Sequence, residues 1–287
     1  MNNILSHRKE EPERSVLYIV GTPIGNLNDI SIRAINILKK VSFIACEDTR
    51  KTGKLLKHFE ISNKLISYHK YNSTQKLDFL ISKLREGCSI ALVSDAGMPL
   101  ISDPGEIIVS QARQNKFDVI CIPGPCAAIT GLVASGLDSS KFTFYGFLPK
   151  TANNRDLILR SISENIHTSI IYESPKRILK LLLDLKKNCG GDRKILVLKE
   201  LTKKYEKHFG DNIDDVLEII KSQDQKGEFT IVLSKSEKKV CIADSTNNKL
   251  TLELKALINA GLSHSAASNY LSKKTGRPKN EIYKLLI

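Results

Sequence analysis

The chain has 287 residues, 41% of them hydrophobic, enough apolar material for more than one core. Its 44 Lys and Arg outweigh 31 Asp and Glu by +13, a balance that attracts polyanions, nucleic acid ahead of an anionic membrane, unless the whole surface is simply lysine-rich. Six cysteines without a CxxC pair or framework spacing, no stretch approaching a membrane span and no apolar signal core at the N-terminus exclude a zinc module, a disulfide-stapled fold and a membrane protein, and lead us to expect a cytoplasmic protein with no metal.

Residues 1–15 form a polar arm whose three basic and three acidic residues cancel. An N-terminal α/β domain is expected over 16–147. It opens with a strand at 16–20, then a helix at 32–40, a strand at 42–46 and a helix from Lys51. A short strand near Leu65 and a helix over 74–87, closed by Gly87, follow. Strands at 89–94 and 117–122 precede a helix after Pro104 and a small-residue helix after Pro125. This alternation predicts a largely parallel sheet covered on both faces. Cys88 and Cys121, in or beside apolar runs, read as buried free thiols.

The stretch "GFLPKTANNR" (146–155) reads as a linker, followed by a second α/β domain over 148–240 with strands at 168–174, 193–200 and 228–234. A polar segment at 236–249 reads as a second linker. Residues 247–287 read as a basic three-helix module with seven Lys and Arg against two Glu. Ser263 suits an N-cap, Gly276 a C-cap and Pro278 a first helical position. Such a module suits gripping phosphates, with dimerisation or packing as the plainer alternative.

Three strand-to-helix turns carry the chemistry. The first, "GTPIG" (21–25), is neither a P-loop nor a Rossmann fingerprint, and Pro23 removes one N–H that a phosphate nest would need. The second, "DAGMPLISDPG" (95–105), brings Asp95, Asp103, two glycines and two prolines; the third, "PGPCAAITGLVASG" (123–136), enters a helix of small residues. Each alone reads as a structural turn. At the carboxyl edge of one sheet the three would form a pocket open to a flat, cationic ligand.

In order, "TPIGNLNDIS", "CEDTRKTGKLL", "ALVSDAGMPLISDPG", "PGPCAAITGLVASG", "GFLPK", "YESPKR", "ELTKKYE" and "KGEF" closely resemble the ribosomal RNA small subunit methyltransferase I family, a branch of the tetrapyrrole methylases, from about Leu17 to the C-terminus. The resemblance implies two α/β domains with a cofactor cleft between them, plus the small C-terminal helical module. It implies S-adenosylmethionine as methyl donor, a homodimer, no DNA partner, and the small ribosomal subunit as substrate. The implied reaction is 2′-O-methylation of a cytidine ribose in 16S rRNA near the decoding centre. Position by position, it points to Thr22, Pro23, Asp95, Gly97, Met98, Ile101, Ser102, Asp103, Cys126, Ala127, Tyr172 and Leu201 as cofactor-binding residues. Met98 and Glu106 depart from the residues common there, threonine and an aromatic.

A ribose hydroxyl is a weak nucleophile, so a base assists its attack. Glu47, Asp48 and His69 are the candidates, and Arg50 is placed to grip a neighbouring phosphate. The plainer alternatives are that Glu47, Asp48 and Arg50 cap and brace the next helix and that His69 ends a strand at the surface. For the charges of "YESPKR" an internal ion pair is an equal alternative. Two other functions fit the sequence less closely: a tetrapyrrole C-methyltransferase and a non-catalytic rRNA-binding assembly factor.

Overall fold

The computed structural model describes residues 11–69, 73–237 and 242–286. In its first part, β1 (Val16–Val20), β2 (Phe43–Cys46), β3 (Leu65–Ser67), β4 (Ile90–Val93) and β5 (Asp118–Ile122) form one sheet in the order β3-β2-β4-β1-β5. Every pairing is parallel. α1 (Ile32–Lys40) and α2 (Thr49–His58) supply Ile37, Leu38 and Leu56 to one face, against Tyr18 and Val20. α3 (Ser73–Arg85) and α4 (Glu106–Gln114) supply Leu80, Leu84 and Ile108 to the other, against Leu17 and Ile19. Burial from both sides is why β1 and β4 are apolar without alternation.

Local signals set the helix ends. The Ser31 hydroxyl accepts from Ala34 N–H, and Asp48 accepts from Arg50 N–H. Beyond α3, Gly87 turns left-handed (φ 90°), and Gly87 and Cys88 donate to Leu84 and Lys83, a Schellman closure. Cys46 and Cys189 are buried, but Cys88 is only half-buried and Cys121 is exposed, contrary to expectation. Cys121 points out of β5, an edge strand whose residues are only partly covered. Cys241 lies outside the described residues.

α5 (Ala127–Ser135) leads into β6 (Phe142–Phe147), α6 (Ala152–Glu164), β7 (Thr168–Glu173), α7 (Ile178–Cys189), β8 (Lys194–Lys199), β9 (Lys207–Asn212), α8 (Ile213–Lys221) and β10 (Phe229–Leu233). The second sheet runs β6-β7-β10-β8-β9; only β6 and β7 are parallel. Leu159, Leu181, Leu185 and Val216 of α6–α8 pack on one face, whereas Ala128 and Leu132 of α5 pack on the other, against Ile170, Leu198 and Val232.

Two boundaries differ from expectation. β6 belongs to the second sheet, so the sheet-to-sheet boundary falls before Phe142 instead of after Phe147. The stretch read as a linker, 146–155, holds the end of β6, a short turn at 148–151 and the first turn of α6, where Arg155 is buried beside Glu173 and Asp184. β9 went unread because Phe209 is the one buried apolar residue in "KHFGDN".

Residues 237–287 form a separate compact unit. α9 (Ile242–Asn259), α10 (His264–Thr275) and α11 (Lys279–Tyr283) enclose Leu250, Leu254, Ala267, Leu271 and Ile282. Ser263 caps α10 through Ala266 N–H, and Gly276 (φ 73°) ends it. Pro278 stands at the cap position of α11, one residue before the first helical position expected. α9 takes in much of the stretch read as a second linker, while residues 238–241, like residues 1–10 of the polar arm, lie outside the described residues.

At the carboxyl edge of the first sheet the turn after β1 touches the turn after β5 through glycine alone. A Cβ on Gly124 would lie 2.7 Å from Gly21 Cα, and backbone cannot swing aside as a side chain can. Gly124→Ala is therefore expected to destabilise the protein by about 1–3 kcal/mol in urea denaturation. Gly21→Ala should cost a similar amount, and the double variant less than the sum, because both changes separate the same contact.

Candidate functional site

The three glycine- and proline-rich turns meet. Thr22 N–H donates to Gly97 O (2.9 Å) and Gly97 N–H to Thr22 O (3.0 Å), a two-bond clasp between the turns after β1 and β4. Within the second turn, Leu100 (φ 73°) and Ser102 (φ 65°) hold left-handed conformations that cost a non-glycine residue energy. They flank Ile101 and turn its side chain into a cavity of about 530 Å³. Glu47 and Lys51 enter that cavity from the start of α2, and the Asp95–Asp103 turn and Cys126–Ala127 from the other two turns. Phe147, Tyr172 and Phe229 close it from the second sheet.

Of the residues expected here, Glu47, Asp95, Gly97, Met98, Ile101, Ser102, Asp103, Cys126, Ala127 and Tyr172 line the cavity. Thr22 is buried behind it, its hydroxyl against Ser94 O at 3.4 Å, and neither Thr22 nor Pro23 is a lining residue. Leu201 packs in the apolar cluster that also holds Cys126, Ala127 and Tyr172, and is not itself a lining residue. Asp48, Arg50 and the half-buried His69 also stand outside it. Asp48 caps α2 and chelates Arg50 through Nε (3.1 Å) and Nη2 (2.8 Å), so the bracing role describes this pair. That guanidinium holds the Asp48 carboxyl well below the usual carboxylate range. Lys51, Ile24 and Phe147 were not foreseen; only Lys51 left a signal, four residues beyond Glu47 at the head of a helix.

The charges of "YESPKR" do form an internal pair. Buried Glu173 lies 3.4 Å from Arg177 and 3.6 Å from Arg155, and Arg177 Nη2 donates to Leu148 O at 2.8 Å, bracing the turn after β6.

Electrostatically the cavity is acidic. Lys51 Nζ donates to Asp95 Oδ2 at 2.7 Å, and Asp48 N–H donates to Asp95 Oδ1 at 3.1 Å. Burial, then the nearby Asp95, push the Glu47 carboxyl up, against the pull of Lys51 and His69. Burial pushes Asp103 up to about 6; the Ser94 hydroxyl opposes the shift, and Glu47 and Asp95 add to it. Carboxylates that raise one another in this way are relieved by a cation. Tyr172 completes the cleft: its hydroxyl accepts from Ala128 N–H at 2.8 Å, one of the donors that the uncapped start of α5 leaves open. Burial raises its phenol well above the ordinary range, so it stays protonated.

Residues 16–217 match the profile of the family described as tetrapyrrole (corrin/porphyrin) methylases. The chain is 41% identical over 270 residues to the ribosomal RNA small subunit methyltransferase I of Synechocystis, covering 94% of this chain and 96% of that one. It is 40% identical over 282 residues to the protein of that name from Escherichia coli O157:H7, at 97% and 96% coverage. The Vibrio cholerae protein is 49% identical over 220 residues, 76% of each chain. Among solved structures, a diphthine synthase superposes with a TM-score of 0.59 at 14% identity, covering 76% of this chain and 90% of that one. Uroporphyrin-III-C-methyltransferase from Thermus thermophilus superposes at 0.55 and 16% identity, covering 78% and 96%. At such identities these two speak for the fold.

The cavity charge has a consequence for stability. Because Asp103 binds its proton more tightly folded than unfolded, folding loses stability as pH rises from the ordinary aspartate range through about 6. Asp103→Asn is expected to raise the melting temperature of the ligand-free protein at pH 8, with the gain shrinking toward zero near pH 4. Thermal denaturation at the two pH values measures it, and an equal gain at both would refute the charge argument.

Proposed function

Since the chain belongs to the ribosomal RNA small subunit methyltransferase I family within the tetrapyrrole methylases, we propose that it methylates the ribose 2′-hydroxyl of a cytidine in 16S rRNA, with S-adenosylmethionine as methyl donor. The protein acts in the cytoplasm, as a homodimer, on the small ribosomal subunit. One observation carries the reading at the level of chemistry: three glycine-rich turns converge on a single acidic cavity. The residues present fit the donor. Gly97, at φ 80°, leaves a cradle where a Cβ would come within 3.1 Å of Ile24, and Glu47, Asp95 and Asp103 suit a sulfonium and an ammonium group.

S-adenosylmethionine supplies a methyl group already activated by its positive sulfur. Asp95 and Asp103 would hold the cationic end of the donor, and Ala127 and Tyr172 would supply an apolar wall for its flat base. Met98, also on the cavity wall, would contact the donor through its backbone and thioether. The chain's remaining task is to orient the 2′-oxygen and accept its proton. Glu47 suits this: its carboxylate makes no hydrogen bond to a described residue, faces the cavity, and is more basic than an ordinary glutamate through burial and Asp95. Asp48 is committed to the helix cap. Glu47 Oε would take the proton that the hydroxyl loses on methylation and release it to water.

Incubation with methyl-labelled S-adenosylmethionine and isolated small ribosomal subunits is expected to label the RNA, with no label in a porphyrinogen. Label that survives a 2′-deoxy target or enters only the porphyrinogen would refute the assignment. Glu47→Gln should lower kcat about 100-fold or more while donor affinity by calorimetry is retained. In the wild type kcat should fall as pH drops through the raised Glu47 pKa, and that acid limb should be missing from the variant.

A further inference from the structure

α2 carries charge of one sign. Its ten residues include Arg50, Lys51, Lys54 and Lys57 and no carboxylate, and all four, with His58, are exposed. Arg50 and Lys54 stand four apart, as do Lys54 and His58; Lys54 is three from both Lys51 and Lys57. Like charges at these spacings weaken a helix, and cations in its first turn oppose its dipole. Asp48 and Asp95 offset the cost at Arg50 and Lys51. Lys54 and Lys57 form no ion pair with a described residue.

The helix also joins two depressions. Lys51 lines the cavity, and His58, roughly 10 Å further along the helix, lines a shallow groove with Asn26, Asn28, Lys203 and Lys204. Cavity and groove adjoin. Ile24 borders one and Gly25 the other, and Lys203 of the groove donates to Glu228 of the cavity wall at 2.9 Å. Leu27 is the one large apolar residue among the described residues lining the groove, and the cations of α2 with the amide donors of Asn26 and Asn28 suit a sugar-phosphate backbone better than a protein partner, whose interfaces are built around larger apolar cores.

We infer that the exposed face of α2 and the adjoining groove form a track that leads an RNA backbone into the reaction cavity, with Lys54 and Lys57 contacting phosphates. This rests on the proposed RNA methylation and locates its substrate on the catalytic unit itself. The test compares wild type, Lys54→Gln/Lys57→Gln and a control of equal charge change, Lys39→Gln/Lys40→Gln. The control residues are exposed at the end of α1, beside the Ser42–Ser89 contact at the opposite sheet edge from the cavity. Binding of labelled small-subunit rRNA is measured by filter retention across a salt series, and donor affinity by calorimetry.

The α2 variant is expected to bind RNA about tenfold or more weakly, and its dependence of log Kd on log salt should be shallower by about 1.4 for two lost phosphate contacts. Donor affinity and the control should stay at wild-type values. Equal losses in variant and control, or a wild-type slope in the α2 variant, would overturn the track. Displacement of the RNA by poly-glutamate at equal charge would overturn it in favour of an acidic protein. Methyl transfer by wild type into the RNA is scored separately. Transfer with an unchanged α2 slope refutes the track alone, and an α2-dependent slope without transfer refutes the methylation reading alone.

Discussion

The packing of α5 on the second sheet is the constraint on which the site depends. Ala128, Gly131 and Leu132 place the helix so close to the second sheet that a Cβ on Gly131 would come within 2.9 Å of Thr230. Only a helix of small residues can approach a sheet in this way. Its start has no side-chain cap of its own, and the Tyr172 hydroxyl from that same sheet accepts the Ala128 N–H there. A buried donor left unpaired would cost about 1–3 kcal/mol, so one hydrogen bond both completes the helix and joins the two halves of the cleft.

On that frame, charge does the selecting. The cavity gathers Glu47, Asp95 and Asp103 with Lys51 as their one lining cation among the described residues. The arrangement costs stability in the absence of a ligand, as functional sites commonly do. The exterior has the opposite sign, a net +13 over the chain. A cation inside and a polyanion outside are thus drawn to different surfaces of one unit.

Much of the fold was legible because the signals were local. β1 and β4 are unbroken apolar runs, and Gly87, Ser31 and Ser263 act within a few residues of where they stand. β9 and the end of the first domain were not legible, since "KHFGDN" becomes a strand only by pairing with β8, and β6 changes sheet only by pairing with β7. Most cavity residues could be named from their turns. Leu201 and Thr22 could not be placed, because whether a side chain faces the cleft or lies one layer behind it depends on packing with distant residues.

By itself the sequence determined the alternation of strands and helices, the three glycine- and proline-rich turns, the excess of positive charge and the family, since each is written in residue type and spacing along the chain. Tertiary structure alone decided that those turns clasp one another and that the cavity carboxylates share a single space. It also decided that Asp48 belongs to a helix cap while Glu47, next to it, faces the cleft. The reason is that side-chain environment is set by neighbours brought together across the chain, such as Asp95 beside Lys51, and no local pattern specifies such contacts.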